Sequence, residues 1–207
     1  MARQGFMSKL SRWFSGTSDT YFFGLQMAIK CFGEDTLRTK FARVLEDAHE
    51  SGDGVEEKRR FIRRFVALIE ESELFWTYGY WDYYERANEA TEEFHTWVHE
   101  IEGALATEDE ELDDEVDDIQ RTSNRKDLVV VTLAFLLDEP YTPVEAIGRE
   151  EDYYLKETFT SLINGLTRLD PRLIQADAAY VVPGNEEDGL SEDDLYGPGW
   201  EHLQMLL

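Results

Sequence analysis

Apolar residues recur three and four positions apart along four stretches of the chain, with polar and charged residues between them. This spacing matches the turn of a helix and predicts amphipathic helices over residues 34–49, 55–74, 82–105 and 149–169. The second helix has the clearest apolar side, which carries Val55, Phe61, Ile62, Phe65, Val66, Leu68 and Ile69. We expect these apolar faces to pack against another layer, because packing supplies most of the stability of such helices.

Three other stretches are typical of strands. Residues 21–31 are rich in apolar and aromatic side chains, and residues 178–182 form a short apolar run. The continuous apolar run at 128–137 predicts a central strand that is covered on both faces. Residues 75–84 hold seven aromatic side chains and are compatible with a strand, a turn or a helix start. The sequence therefore predicts an α+β fold, in which a small sheet of about three to four strands packs against amphipathic helices.

The first residues of the chain differ from the remainder. Residues 1–16 contain three basic side chains and no acid. Apolar residues at helical spacing predict a short helix over residues 6–14. We therefore divide the chain into a basic amphipathic N-terminal segment, residues 1–18, and a single acidic α+β domain, residues 19–207. The apolar side of the segment would enter a partner's groove or an anionic membrane surface, or else pack on the domain's own core; it consists of Phe6, Leu10, Trp13 and Phe14.

The net charge of the chain limits the kinds of partner that it is expected to bind. Asp and Glu number 45 against 20 Lys and Arg, which gives a formal net charge of −25. This charge repels polyphosphate, so we do not expect direct binding of nucleic acid. Cys31 is the only cysteine, and no window approaches the roughly 20 apolar residues of a spanning helix. We expect a cytoplasmic location. The N-terminal segment could in addition contact a membrane surface peripherally.

A cluster of arginines interrupts the acidic sequence. Arg59, Arg60, Arg63 and Arg64 share the side of the second predicted helix opposite its apolar face. Guanidinium groups suit carboxylates and phosphates, so these side chains could bind an anionic partner. They could instead pair with the chain's own acids, for instance those of residues 108–118, where nine of eleven residues are acidic. We expect that acidic run to be a mobile loop.

Candidate chemistry is sparse. Glu92, His95, His99 and Glu102 fall on one side of a predicted helix and could hold a divalent metal, or could form a solvated polar face. The zinc-protease motif needs Glu directly after its first His, and Thr96 stands there instead. The aromatic run at 75–84 could stack a planar ligand or belong to the core. The chain contains no nucleophile elbow, phosphate-binding loop or dinucleotide motif, so we expect no cofactor.

Several short motifs follow one another along residues 20–207: Leu25 and Gln26, Phe75 to Gly79, Glu92 and Phe94, Val129 to Leu133, and the closing Leu190, Ser191, Asp194, Leu195 and Leu206. Taken in this order, they resemble an uncharacterised family of cyanobacterial, plastid and other bacterial proteins, the domain-of-unknown-function family 1517. The resemblance implies an α+β domain and supplies no reaction or catalytic residue. The chain departs from the family pattern at Glu73 and Leu74, where members often have Pro and Asp.

Together these observations favour a non-catalytic protein, an adaptor or assembly factor that docks on a protein partner. One alternative is a metal-dependent enzyme centred on His95 and His99. Another is an acidic mimic of nucleic acid, or a domain adapted to a high-salt cytoplasm, because Arg is more frequent than Lys in this strongly acidic chain. The absence of catalytic motifs makes an enzyme the less favoured of these hypotheses.

Overall fold

A computed structural model describes residues 5–8, 19–32, 36–111, 127–183 and 189–207, with backbone only for residues 5–8, 36 and 106–111. The protein is an α+β domain built on one antiparallel sheet, which confirms the predicted fold class. The sheet has six strands among the described residues, in the order β1-β5-β4-β2-β3-β6, and so is wider than the three to four strands predicted.

The strands are β1 (Gly5–Ser8), β2 (Tyr21–Lys30), β3 (Trp76–Tyr84), β4 (Leu128–Leu137), β5 (Ile174–Val182) and β6 (Gln204–Met205). The helices are α1 (Thr36–Ser51), α2 (Val55–Glu71), α3 (Ala87–Glu111), α4 (Thr142–Glu145) and α5 (Lys156–Leu166). Short 3-10 turns lie at Glu73–Phe75, Glu150–Asp152, Pro171–Leu173 and Asp194–Tyr196.

The apolar run at 128–137 is the central strand β4, as predicted. All ten of its residues are buried, and it pairs with β2 on one side and β5 on the other. The aromatic run, which the sequence left open, forms β3 on the far side of β2. A strand buried on both faces needs no alternation of polar and apolar residues, which explains why β4 reads as a continuous apolar stretch.

Helices cover both faces of the sheet. On one face, α1, α2 and α5 pack against a core that includes Phe23, Leu25 and Met27 of β2. On the other face, α3 and the C-terminal residues pack against a second core that includes Phe22 and Ala28. Side chains alternate between the two faces of a strand, so the single strand β2 contributes to both cores.

Two helices begin later than the sequence predicted. The helix expected from residue 82 begins at Ala87, because residues 82–84 pair with β2 as the end of β3. The helix expected from residue 149 begins at Lys156, after a 3-10 turn and Leu155, which is extended. In both places the apolar pattern in the sequence extends beyond the residue at which the helix begins, because a strand end or a turn occupies the residues before it.

The helix predicted over residues 6–14 is wrong for its first residues. Gly5–Ser8 form strand β1, which pairs antiparallel with the outer side of β5, so that Phe6 lies opposite Ala179. An unpaired strand edge presents free backbone groups, and a very short helix is unstable in water, so strand pairing prevails here. The remainder of that prediction, with Leu10, Trp13 and Phe14, lies outside the described residues.

The acidic run is only partly described. Residues 108–111 belong to the last turn of α3, so the expected loop does not begin at residue 108. The rest of the run, residues 112–118, lies outside the described residues.

Candidate functional site

The basic side of α2 is divided between buried, paired and exposed groups. Lys58 forms an ion pair with Asp177 of β5, and little of either side chain is exposed. Arg59 contacts Glu56 at 2.5 Å and Asp170 at 4.0 Å. These three acids come from a strand, from α2 itself and from the loop before β5, so the chain's own acids neutralise part of the cluster.

Arg64 is held by the neighbouring helix. Its Nη1 lies 2.5 Å from Oδ2 of Asp47, which belongs to α1. Both side chains are about half exposed, so the pair contributes little to stability. The internal pairing that the sequence left open therefore applies to Arg59 and Arg64, whose described partners are Glu56, Asp170 and Asp47.

Arg60 and Arg63 are different. Both side chains are exposed, and neither forms an ion pair within the described part of the chain. Exposed guanidinium groups stay available for carboxylates of another molecule. Of the four arginines predicted to bind a partner, the structure thus leaves these two facing solvent.

An exposed apolar patch is formed by residues just before the start of α1 and just after the end of α2. Leu74 is 89% exposed, Phe32 is 55% exposed and Phe75 is 45% exposed. The rings of Phe32 and Phe75 meet edge to face, with centroids 5.7 Å apart. Phe32 shortly precedes α1, and the other two residues follow α2. We call these three residues the apolar patch.

The four predicted metal ligands lie on α3 with exposed side chains. Glu102 accepts a hydrogen bond from the hydroxyl of Tyr180 at 3.4 Å, and the ring of His95 lies against Phe94. Among the residues with described side chains, no three or more His, Cys, Asp and Glu are grouped so that they could hold a metal ion. The set Glu92, His95, His99 and Glu102 therefore gains no support from this geometry.

Several rings of the aromatic run are held within the protein. Trp76 is buried and donates its indole N–H to the carbonyl of Ile69 at 3.0 Å. Trp81 donates to the carbonyl of Tyr153 at 3.0 Å. Tyr83 accepts from the backbone N–H of Tyr141 at 3.2 Å. These rings belong to the packing on the α1–α2–α5 face.

A second group of β3 side chains meets α3 and the C-terminal residues on the other face. The ring of Tyr80 lies between two others, with its centroid 5.6 Å from Trp97 and 5.3 Å from His202. The hydroxyl of Tyr80 donates to Oδ2 of Asp82 at 3.1 Å. Glu93 accepts a hydrogen bond from the side chain of Trp97, one turn further along α3, and the charges of Asp82 and His202 both act on its carboxyl group. We call Tyr80, Asp82, Glu93 and His202 the carboxylate cluster.

The carboxylates of this cluster are poorly solvated. Burial raises the pKa of Asp82, although hydrogen bonds from Tyr83 and Tyr80 and the charge of His202 act in the opposite direction. Burial also raises the pKa of Glu93, and the negative charge of Asp82 raises it further. Two incompletely solvated carboxylates that repel each other are costly to keep ionised, so the site favours a positive charge nearby.

A polar row crosses the sheet from this cluster. Tyr80 of β3, Gln26 of β2, Thr132 of β4 and Tyr180 of β5 are successive cross-strand partners. Gln26 donates to the carbonyl of Gly199 at 3.3 Å. The buried hydroxyl of Thr132 has no hydrogen-bond partner in the described part of the molecule. The row thus places polar groups under α3 within an otherwise apolar layer.

The sequence-based reading missed the carboxylate cluster and the polar row. The signal for the row was present, since Gln26 and Thr132 are single polar residues inside apolar strands. The cluster had no local signal, because His202 is distant in sequence from Asp82 and Glu93. Only the folding of the C-terminal residues back onto β3 brings them together.

No protein-family model matches the chain. No curated protein matches it. No solved structure matches it. The resemblance to family 1517 therefore stays a prediction. Within the described ranges, no helix combines the length and the apolar character needed to cross a bilayer.

Proposed function

We propose that this protein is a non-catalytic interaction protein that binds a partner protein through the apolar patch. The observation that carries the proposal is the exposure of the contacting rings Phe32 and Phe75 and of Leu74, the residue before Phe75 in the chain. Contiguous exposed apolar groups cost free energy in water and mark surfaces that another molecule covers. Aromatic side chains of this kind are enriched at the centres of protein interfaces.

The exposed charges of the adjoining helix favour a partner whose acidic groups lie at some distance from its apolar anchor. The last turn of α2, which leads into the apolar patch, carries Glu70 and Glu71, whereas Arg60 and Arg63 lie on the exposed face in the first half and at the middle of the helix. Arginine is frequent at interface hot spots, where it binds carboxylates in a fixed geometry. A partner with an apolar anchor and with acidic groups about three to four helical turns away, at the level of Arg63 and Arg60, would therefore fit this surface.

Substitution of Leu74 tests the proposal. Leu74→Glu places a charge at the most exposed residue of the patch, and its matched control is Tyr196→Glu, a change elsewhere on the surface at a residue that is 82% exposed. Each variant would be used to capture partners from native lysate, with the bound proteins quantified by mass spectrometry. We expect a partner that the wild type and Tyr196→Glu retain and that Leu74→Glu loses.

A second variant tests the charge. Arg60→Glu/Arg63→Glu should weaken capture of the same partner and reduce the sensitivity of binding to salt, because two favourable charge contacts become repulsive. Sedimentation of the purified protein shows whether the partner is a second copy of the chain. Identical capture by the wild type and Leu74→Glu, with no change in self-association, would show that the apolar patch does not bind protein.

A further inference from the structure

The outer surface of α1 and α2 carries two exposed ion pairs in opposite order. Lys40 of α1 lies 3.5 Å from Glu71 of α2, so the base of this pair is on α1. Asp47 of α1 lies 2.5 Å from Arg64 of α2, so the base of this pair is on α2. The four side chains are between 44% and 63% exposed, and another molecule can reach them. We call these four residues the charge square.

The charge square has the spacing of two helical turns. Lys40 and Asp47 are seven residues apart in α1, and Arg64 and Glu71 are seven residues apart in α2. This spacing corresponds to about 10 Å along each helix. Bases and acids therefore alternate around the four corners. Such a surface is complementary to itself after a half-turn about an axis that lies in the surface, between the two pairs and across both helices.

This rotation places a second copy of the chain face to face with the first, with the two α2 helices antiparallel. Lys40 of one copy then lies opposite Asp47 of the other, and Glu71 lies opposite Arg64. A two-fold axis repeats every contact, so all four corners of each copy meet a corner of opposite charge. Opposite charges that face each other in this way set the register of an interface.

Other residues of α2 fit the same arrangement. Ala67 is half-buried and lies about midway between Arg64 and Glu71, close to the axis. Its small side chain would let the two helices approach to the usual packing distance of about 8–10 Å. On the other side of α2, the exposed Arg63 would lie opposite Glu70 of the second copy. The complementarity thus extends beyond the charge square.

Two features oppose the contact. Arg43 is exposed on α1 between Lys40 and Asp47, and would lie near its own counterpart at the axis. Glu46, one turn further along α1, offsets this repulsion. The net charge of −25 also repels a second copy, but salt at physiological ionic strength screens that repulsion beyond about 8 Å. The facing corners act within this distance.

The area of the surface is sufficient for a dimer of moderate affinity. α1 and α2 have 16 and 17 residues, and α2 contacts α1 on one side and α5 on the other. Three helices about 10 Å apart and up to about 25 Å long present roughly 700 Å². This is close to the roughly 800 Å² that each partner buries in a standard interface.

We propose that the chain forms a two-fold symmetric dimer through the charge square, with α2 of the two copies antiparallel. This inference goes beyond the proposed function, because the contact is centred on the middle of α1 and α2 and the apolar patch lies at its edge. Arg63 belongs to both surfaces, so the second copy and the partner protein compete for this side chain.

Charge reversal in the full chain tests the dimer. Sedimentation velocity at concentrations up to about 1 mM measures the Kd of self-association, even where association is weak. Lys40→Glu/Arg64→Glu makes all four corners acidic, and Asp47→Lys/Glu71→Lys makes all four basic. Each variant alone should raise the Kd by about tenfold or more, because like charges then meet at every corner.

Two further samples separate the order of charges from a loss of folding. An equimolar mixture of the acidic and the basic variant should form a mixed dimer, since each acid again faces a base. The fourfold variant Lys40→Glu/Asp47→Lys/Arg64→Glu/Glu71→Lys reverses every corner and should dimerise like the wild type. Leu74→Glu, which tests the apolar patch, should also dimerise like the wild type, so the dimer and the proposed function are tested separately.

Several results would overturn the proposal. One is a wild type that stays monomeric over the whole concentration range. Another is unchanged dimerisation of the acidic and the basic variant. A third is the failure of both the mixture and the fourfold variant to dimerise. Loss of dimerisation in Leu74→Glu, with the charge variants unaffected, would place self-association at the apolar patch and reject the charge square as the interface.

Discussion

Lys58 of α2 donates to the carboxylate of Asp177 on β5, so that an ion pair fastens this helix to the sheet. Only 12% of the Lys58 side chain and 3% of the Asp177 side chain are exposed. A charge in such a place is costly unless its partner is present. The ion pair therefore restricts the position of α2 on the sheet more than the packing of its apolar face alone does.

Removing one member of this pair should be strongly destabilising. Lys58→Met removes the ammonium group from beside the buried Asp177 carboxylate, and should lower the free energy of unfolding by about 3–5 kcal/mol in urea melts. Lys58→Met/Asp177→Leu should recover part of this loss, because neither charge then remains. Lys40→Met breaks an exposed pair with Glu71 and should cost no more than about 1 kcal/mol. Equal losses at the buried and the exposed pair would contradict this account.

The apolar face of α2 should be essential for stability. Phe65 is fully buried and packs against Phe41 and Phe61, with ring centroids 4.9 and 5.4 Å away. Phe65→Ala should lower the free energy of unfolding by about 3–5 kcal/mol. The control Leu74→Ala removes an exposed side chain and should change it by no more than about 0.5 kcal/mol. A cost below about 1 kcal/mol for Phe65→Ala would mean that this face is packed differently.

Close packing at Gly24 should exclude even a methyl group. A Cβ atom there would lie 2.7 Å from the rings of both Phe22 and Trp97, which fill the space between β2 and α3. Gly24→Ala should therefore cost about 1–3 kcal/mol through overpacking. Among the described residues, nothing lies within 4 Å of a Cβ atom at Gly103 of α3, so Gly103→Ala should stabilise the protein by about 0.5–1 kcal/mol. Thermal melts of both variants would show opposite shifts in Tm.

The carboxylate cluster should make stability depend on pH. The pKa values of Asp82 and Glu93 are raised in the folded state above their ordinary 3.8 and 4.5. Each folded group thus holds its proton more tightly than the unfolded one. Their contribution is most favourable below the ordinary values and is lost as the pH rises through the raised ones. Asp82→Asn/Glu93→Gln should then be more stable than the wild type at pH 7.

This advantage should shrink as the pH falls towards 4, because the wild-type carboxyls take up protons there. Urea melts of the wild type, the neutral variant and the α1 control Glu46→Gln/Glu50→Gln at several pH values would measure it. A stability difference that is independent of pH would show that the two carboxylates are well solvated in the folded protein.

Much of the architecture follows from local patterning. The helix α2 and the strands β2 and β4 lie where the apolar spacing predicted them. In the candidate sites, the same patterning placed Arg60 and Arg63 opposite the buried side of α2. These features depend on which faces of one element are apolar, and that information is carried by residues close together in the chain.

Features that depend on distant partners could not be derived in this way. The apolar pattern of residues 6–14 predicted a helix, yet Gly5–Ser8 pair with β5. The apolar patch could not be predicted either, because the number of apolar residues in the sequence does not show which of them the fold leaves exposed. In each case the result depends on which surfaces remain free after the sheet has formed.

The sequence by itself determined the α+β class, the central strand β4 and the faces of the amphipathic helices, because apolar periodicity dictates which side of each element must leave water. Tertiary structure alone decided the order of the strands, the partner of Lys58 and the meeting of His202 with Tyr80. Strand pairing and the solvation of a charge depend on groups brought together by the whole fold, and no local pattern records them.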